Sequence, residues 1–321
     1  MSDVVRLTDE KGRWHAREVS YVEGSWKQVL ERLPFFETGE YWVAPDMPAN
    51  PYLRSVIRLP LTRMEYPIPV GVVSNTYTLA QHRAVAQKCV EGIQAAGVEV
   101  AGLRCEVGLT ELGEWMNLRI YFPESYNYAA ADHQKLGLRL ECFNSVDGSS
   151  RLILLLGWLR FVCTNGLVIG ETRAELRDVH DRYMDLEKIP TIIRKALERV
   201  AGERKRLSSW EGTQVGEKQL KWFVDDPLSA SWGKKAACRT FHICRSGFDV
   251  ELQSPFKAGP ASAKLVRQVQ RVPGAPDVAR TLYDVGQALS WIATARQDSE
   301  ERLTWQAQIP GLLEQLGAVR V

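Results

Sequence analysis

Residues Gly137–Gly170 read GLRLECFNSVDGSSRLILLLGWLRFVCTNGLVIG, and their pattern decides the fold. Leu136, Leu138, Leu140 and Cys142 alternate with Gly137, Arg139, Glu141 and Phe143, which is the period of a half-buried strand. Asp147-Gly148 follows. Both residue types tolerate positive φ, and the pair between apolar runs is a hairpin signal. Leu152 to Leu156 is a continuous apolar run, too short for a membrane helix. A buried strand fits it, and periodicity alone leaves a short buried helix open. Asn165-Gly166 supplies a second turn signal. The expectation is a tight turn at Asp147-Gly148 between paired antiparallel strands, with Leu140, Leu154 and Val162 buried.

Upstream, Trp26 to Leu33 reads as a short helix stopped by Pro34. The proline- and aromatic-rich stretch to Pro69 reads as an irregular arm or a set of short strands, with Val56 to Leu59 as an edge strand. Pro69 to Ser74 reads as a strand. Thr78-x-x-Gln81 has capping-box spacing, and behind it Ala86, Cys89, Val90, Ile93 and Ala96 recur at helical intervals. Leu103 to Leu109 and Met116 to Phe122 alternate as strands. One helix followed by a run of antiparallel strands is an α+β signature.

Downstream, Ala174 to Leu207 reads as helical, with Ile192, Ile193, Ala196, Leu197 and Val200 forming one stripe. Ser208 to Gly216 resembles a linker. Arg239 to Cys244 reads as a strand, Asp277 as the cap of a helix, and Gly311 to Leu316 as a last short helix. Three regions follow: an N-terminal arm or short-strand region over 1–70, a central α+β core over 71–207, and a C-terminal α/β-to-helical region over 208–321 packed on the core.

Composition narrows the function classes. Over 321 residues the chain carries 41 Lys plus Arg against 39 Asp plus Glu, so any binding of nucleic acid or lipid needs a local patch. No apolar run reaches a transmembrane length, and the charged N-terminus lacks a signal-peptide apolar region, so the expected location is the cytoplasm. Reduced thiols are then expected for the six cysteines. No GxxxxGK[ST] or GxGxxG loop occurs, and no cofactor is expected.

Several constellations bear weighing. Cys238, His242 and Cys244 have metal-capable atoms, but three ligands without a fourth make a poor structural zinc site, and no metal is expected. Cys163 and His180 have the types of a nucleophile and base, yet a cysteine in an apolar strand is ordinarily an inert core residue. Glu141 and Asp147 lack the converging carboxylates that a metal-dependent nuclease needs. The remaining pattern is basic. Arg194, Arg199, Arg204, Lys205 and Arg206 cluster on one stretch, followed by Trp210 and Trp222. Basic grooves with stacking aromatics suit single-stranded nucleic acid, while the interspersed Glu198, Glu203, Glu211 and Glu217 equally suit a solvated helix face.

Asn144, Asp147 and Gly148 in the first turn, then Arg160, Cys163 and Asn165, resemble the phage- and plasmid-like family known by the domain of unknown function numbered 932. Its members show an Asn-Ser-x-Asp-Gly-Ser-like turn followed by an Arg-x-Val-Cys-x-Asn-like segment. The Leu-rich run before Arg160 departs from the mixed polarity of that pattern. The resemblance spans roughly Ser74 to Gln315, implies residence on bacterial mobile elements, and carries no catalytic residue.

The expected fold is therefore α+β, a curved antiparallel sheet built from residues ~70–170 and packed by helices, with a mostly helical C-terminal part. The expected function is a non-catalytic mobile-element protein binding single-stranded DNA in recombination or annealing. A second copy of the chain is a further candidate partner, and no membrane is expected. The alternatives are a host-interaction or anti-defence protein acting through a protein surface, and a divergent metal-dependent hydrolase.

Overall fold

The computed structural model describes residues 5–6, 19–60, 62, 65–130, 135–160, 166–167, 177–178, 180, 183–253, 259–264, 266–296 and 299–319. The described residues of the N-terminal region form strands and one short helix. They supply β1 (Val5–Arg6), β2 (Val19–Gly24), helix α1 (Trp26–Glu31), β3 (Phe36–Glu40), β4 (Leu53–Arg58) and β5 (Ile68–Ser74). Helix α2 (His82–Ala95) precedes β6 (Arg104–Thr110), β7 (Trp115–Tyr121), β8 (Tyr128–Ala129), β9 (Lys135–Ser145) and β10 (Leu152–Arg160). Short strands β11 (Gly166–Leu167) and β12 (Arg177–Asp178) lead to α3 (Lys188–Glu198), α4 (Val200–Gly212), α5 (Glu217–Asp225) and α6 (Pro227–Ser246). The chain ends with β13 (Phe248–Leu252), β14 (Val266–Arg271), α7 (Leu282–Thr294) and α8 (Ser299–Ala318).

The class is α+β, with antiparallel sheets and a mostly helical C-terminal part. The main sheet runs β1-β2-β6-β7-β9-β10-β11, with β8 beside β9 and β12 beside β10. It is wider than the expected 70–170 span, because β2 pairs with β6 from Val19↔Thr110 to Gly24↔Cys105. A second sheet has the order β3-β4-β5. Val56 lies on the central strand of that sheet and is fully buried, so β4 is not the expected edge strand. The expected boundary at 70/71 falls within β5, and the one at 207/208 falls within α4.

The central hairpin pairs as its alternation requires, from Ile153↔Phe143 to Arg160↔Leu136. Leu136, Leu138, Leu140, Cys142, Leu152, Leu154, Leu156 and Trp158 face the helices in the large core. The intervening Phe143, Ile153 and Leu155 pack with Tyr21 in a separate cluster. Both faces are thus covered, which explains why Leu152 to Leu156 shows no polar alternation. Val162 lies outside the described residues.

Some expected elements change type or length. Arg239 to Cys244 lies inside α6, not in a strand. Thr240, Phe241 and Ile243 favour strands locally, but Ala237, Phe241 and Cys244 share a buried helical stripe, and burial outweighs propensity. The cap of α7 is Thr281, which forms a capping box with Asp284, four residues beyond the expected Asp277. Helix α8 extends well beyond the expected 311–316 and carries Pro310 inside it. Within the expected helix 174–207, Arg177–Asp178 is a strand paired with β10. Among the described residues, no helix is long and apolar enough to cross a membrane.

Candidate functional site

Asn144 ends the helix-facing row of β9 and is buried. Its Nδ2 donates to the Ala80 carbonyl at 2.9 Å and lies 2.9 Å from His82 Nδ1. His82 Nε2 lies 2.9 Å from the Gly113 carbonyl. An amide donor at Nδ1 and a carbonyl at Nε2 are both satisfied by one neutral tautomer, with the proton on Nε2. Burial lowers the pKa of His82 to about 4. The joint ties β9 to the start of α2 and to the β6–β7 turn.

The hairpin tip is wider than the tight turn expected, spanning Val146 to Arg151. Asp147 Oδ1 accepts from Ser149 N at 3.1 Å and from Ser149 Oγ at 2.5 Å. Ser145 and Ser150 close the loop by reciprocal bonds of 3.0 and 3.1 Å. Gly148 takes φ +78°, the left-handed region that glycine occupies without strain. The small sheet lies directly on this tip: a Cβ added at Gly71 would sit 2.8 Å from Asp147 Cα. Tyr77 donates to the Ser145 carbonyl at 3.3 Å, and the His180 ring stacks on Tyr77 with centroids 5.2 Å apart. Asn144, Asp147 and Gly148 therefore meet at one joint between the two sheets. Of the remaining motif residues, Arg160 pairs its backbone with Leu136, while Cys163 and Asn165 lie outside the described residues.

The opposite sheet face carries a buried ion network. Glu141 accepts from Asn117 Nδ2 at 3.0 Å, Arg119 Nε at 3.1 Å and Arg139 Nη2 at 2.6 Å. Arg119 also reaches Glu106 at 2.7 Å. From α8, Arg302 lies over the Phe143 ring at 5.7 Å. Burial alone would raise the Glu141 pKa, but Arg139, Arg119 and Arg302 hold it well below the usual carboxylate range. Glu141 is thus committed to arginines, and Asp147 to its turn.

The thiol and histidine constellations disperse. Cys89, Cys105, Cys142, Cys238 and Cys244 are buried free thiols. Burial pushes the Cys238 thiol up to about 11. Cys238, His242 and Cys244 ride on α6, where 238 and 242 share a face and 244 turns away. Among the described residues, no group of His, Cys, Asp and Glu is placed to hold a metal.

The basic stretch splits into engaged and open residues. Arg194 pairs with Glu198 at 2.5 Å. Arg204 donates to the Ser125 carbonyl at 2.8 Å and lies over Trp158. Arg206 pairs with Glu203 and lies over Trp210. Trp210 is only 4% exposed, so the expected base-stacking platform is instead a core residue. Trp222 is half-buried. Arg199 and Lys205 stand exposed, as do Lys188 and Lys195. On α4 the same outer side carries Ala201, Gly202, Ser208, Ser209 and Gly212, all exposed. The burial of Trp210 was signalled by its spacing: Val200, Leu207 and Trp210 recur at seven and three, on the stripe that faces the core. No comparable local signal marks Arg302 or His82.

Fold and sites together define an α+β protein whose long hairpin is latched at its tip and ion-paired across its outer face. The family model named Domain of unknown function (DUF932) matches residues 69–295, and the chain belongs to that family. No curated protein and no solved structure matches the chain.

Proposed function

We propose that this chain is a non-catalytic protein of a phage or plasmid that holds single-stranded DNA by its phosphate backbone, in recombination or annealing. The observation that carries the reading is the outer side of α3–α4. Lys188, Lys195, Arg199 and Lys205 follow one another along it, and the residues between them on α4 are small. Helical rise sets Lys195 and Arg199, one turn apart, at about 6 Å along the axis. Small exposed residues let a sugar–phosphate chain approach the helix while the cations reach its oxygens. The acid on this side, Glu198, is already paired with Arg194. Trp222, with Lys218 and Lys221 on the same helix, is the remaining stacking candidate.

The test is fluorescence anisotropy with labelled oligonucleotides across a salt series. Each of Lys195→Ala, Arg199→Ala and Lys205→Ala is expected to weaken binding to all sequences and to flatten the log–log salt slope by about 0.7. Trp222→Ala should weaken binding and leave the slope unchanged. Absence of binding at micromolar protein and low salt sinks the reading.

A further inference from the structure

A different surface carries a second interaction. The loop from Tyr41 to Tyr52, between β3 and β4, exposes Trp42 (49%), Val43 (68%), Met47 (55%) and Tyr52 (74%). Trp, Tyr and Met are the types that anchor protein contacts, and this loop exposes all three. The loop continues from β3, an edge strand of the small sheet. At Phe36 that edge is already read by an amide: Gln81 Nε2 donates to the Phe36 carbonyl at 2.5 Å, and Gln81 Oε1 accepts from Phe36 N at 3.2 Å. Residues two apart point their backbone groups the same way, so the Thr38 N–H and C=O also face outward, away from β4. At this end of the sheet a groove of about 470 Å³, lined by Thr38, Glu40, Leu53, Arg54 and Asn75 among others, lies across β3, β4 and the end of β5.

Charge selects the occupant. Glu37, Glu40 and Asp46 are exposed along this edge and loop, against Arg54 at the groove and Arg83 over Phe35 at the start of the edge. This excess of acid disfavours nucleic acid there. A second copy adding edge to edge would crowd two sets of Glu37 and Glu40 into one short strand pair, and charged residues on an edge are a common device against self-pairing. We propose that β3 accepts an extended, basic segment of a partner protein as an added strand, with apolar side chains seated on Trp42 and its neighbours. Backbone pairing at Thr38 supplies register, and the glutamates supply the preference for Lys or Arg.

The test uses three labelled ten-residue peptides and the full chain. One alternates Lys with Val and Thr, one replaces each Lys by Glu, and one repeats the basic sequence with alternate backbone amides methylated. The basic peptide should bind, and both others should bind roughly tenfold or more weakly. Thr38→Pro removes an outward N–H and should cost a similar factor; Trp42→Ala should do so without touching the backbone. The double variant Glu37→Gln, Glu40→Gln should lose the preference for basic over acidic peptide. Thermal melting confirms that each variant is folded, and Trp42→Ala decides the matter should Thr38→Pro not fold. Equal binding of the acidic or methylated peptide overturns the proposal. So does basic-peptide binding untouched by Trp42→Ala, no peptide binding at all, or a dimer in solution that Trp42→Ala disperses. These outcomes are independent of the nucleic-acid reading, which rests on α3–α4.

Discussion

The side-chain amide of Asn144 meets Nδ1 of His82 at 2.9 Å, a contact that fits the neutral ring which burial enforces. A protonated ring would aim an N–H at the amide's own N–H in a site closed to water. The unfolded chain imposes no such conflict.

Stability should therefore fall as the solution is acidified through the histidine range. The pKa of His82 drops from 6.5 to about 4 on folding, so the unfolded state binds the extra proton in between. Stability is whole above the unfolded value and declines toward the folded one, by on the order of 3 kcal/mol. Urea titrations between pH 7 and pH 4 measure the slope. In His82→Gln the slope over this window should flatten; a slope equal to wild type contradicts the assignment. Glu141 acts in a separate window. Its lowered pKa adds stability that is present above the usual carboxylate value and is lost only at more acidic pH.

Loss of charge at Glu141 should be among the most damaging single changes. Glu141→Gln removes the buried counter-charge of half-buried Arg119 and Arg139, a defect worth roughly 3 kcal/mol. Arg267→Ala, which breaks an exposed pair with Glu251, should cost less than about 1 kcal/mol. Chemical denaturation of the two variants side by side gives the comparison, and similar losses would contradict the burial argument.

Two glycines at the hairpin tip should not tolerate a side chain. Gly148→Val forces a β-branched residue to φ +78° with Val73 Cγ1 3.0 Å from the new Cβ. Gly71→Ala presses a methyl group onto the Asp147 backbone. Each should lower stability by roughly 1–3 kcal/mol. Gly202→Ala meets nothing within 4 Å on the open side of a helix and should raise stability by up to about 1 kcal/mol. Melting temperatures separate the two signs.

Within the basic stretch, engaged and open cations should behave differently. Arg206→Ala removes an ion pair with Glu203 and the cover over Trp210, so it should lower the melting temperature and leave the salt slope of oligonucleotide binding unchanged. Lys205→Ala should do the reverse. A slope change in Arg206→Ala of the size seen in Lys205→Ala would move the interface toward the buried side of α4.

The parts of the fold legible in the sequence are those with a local period. Leu136 to Cys142 and the following Leu-rich run announced a hairpin, and the 86–96 stripe announced α2. What escaped depends on partners remote in sequence. Thr78-x-x-Gln81 has the spacing of a capping box, yet Gln81 makes no cap bond and spends its amide on Phe36. Arg302 joins the sheet network from the last helix, and no neighbour in the chain marks it. Around Pro310 a breaker signal was outweighed by buried Ile309, Leu312, Leu313 and Leu316. For the candidate interface, charge was legible and exposure was not: only packing separates Arg206 and Trp210 from Arg199 and Lys205.

The seam between β2 and β6 bears on how this protein can be cut. The family match begins at residue 69, the second residue of β5, and so leaves out β2, β3 and β4. A fragment trimmed to that match would strip the row from Val19↔Thr110 to Gly24↔Cys105 off the main sheet, turning β6 into a raw border with unmet amides. It would also leave β5 with no ladder and, lacking α8, would discard Arg302. Such a fragment should come out of cells as aggregate, so work on the family region requires the flanking segments that sequence similarity leaves out.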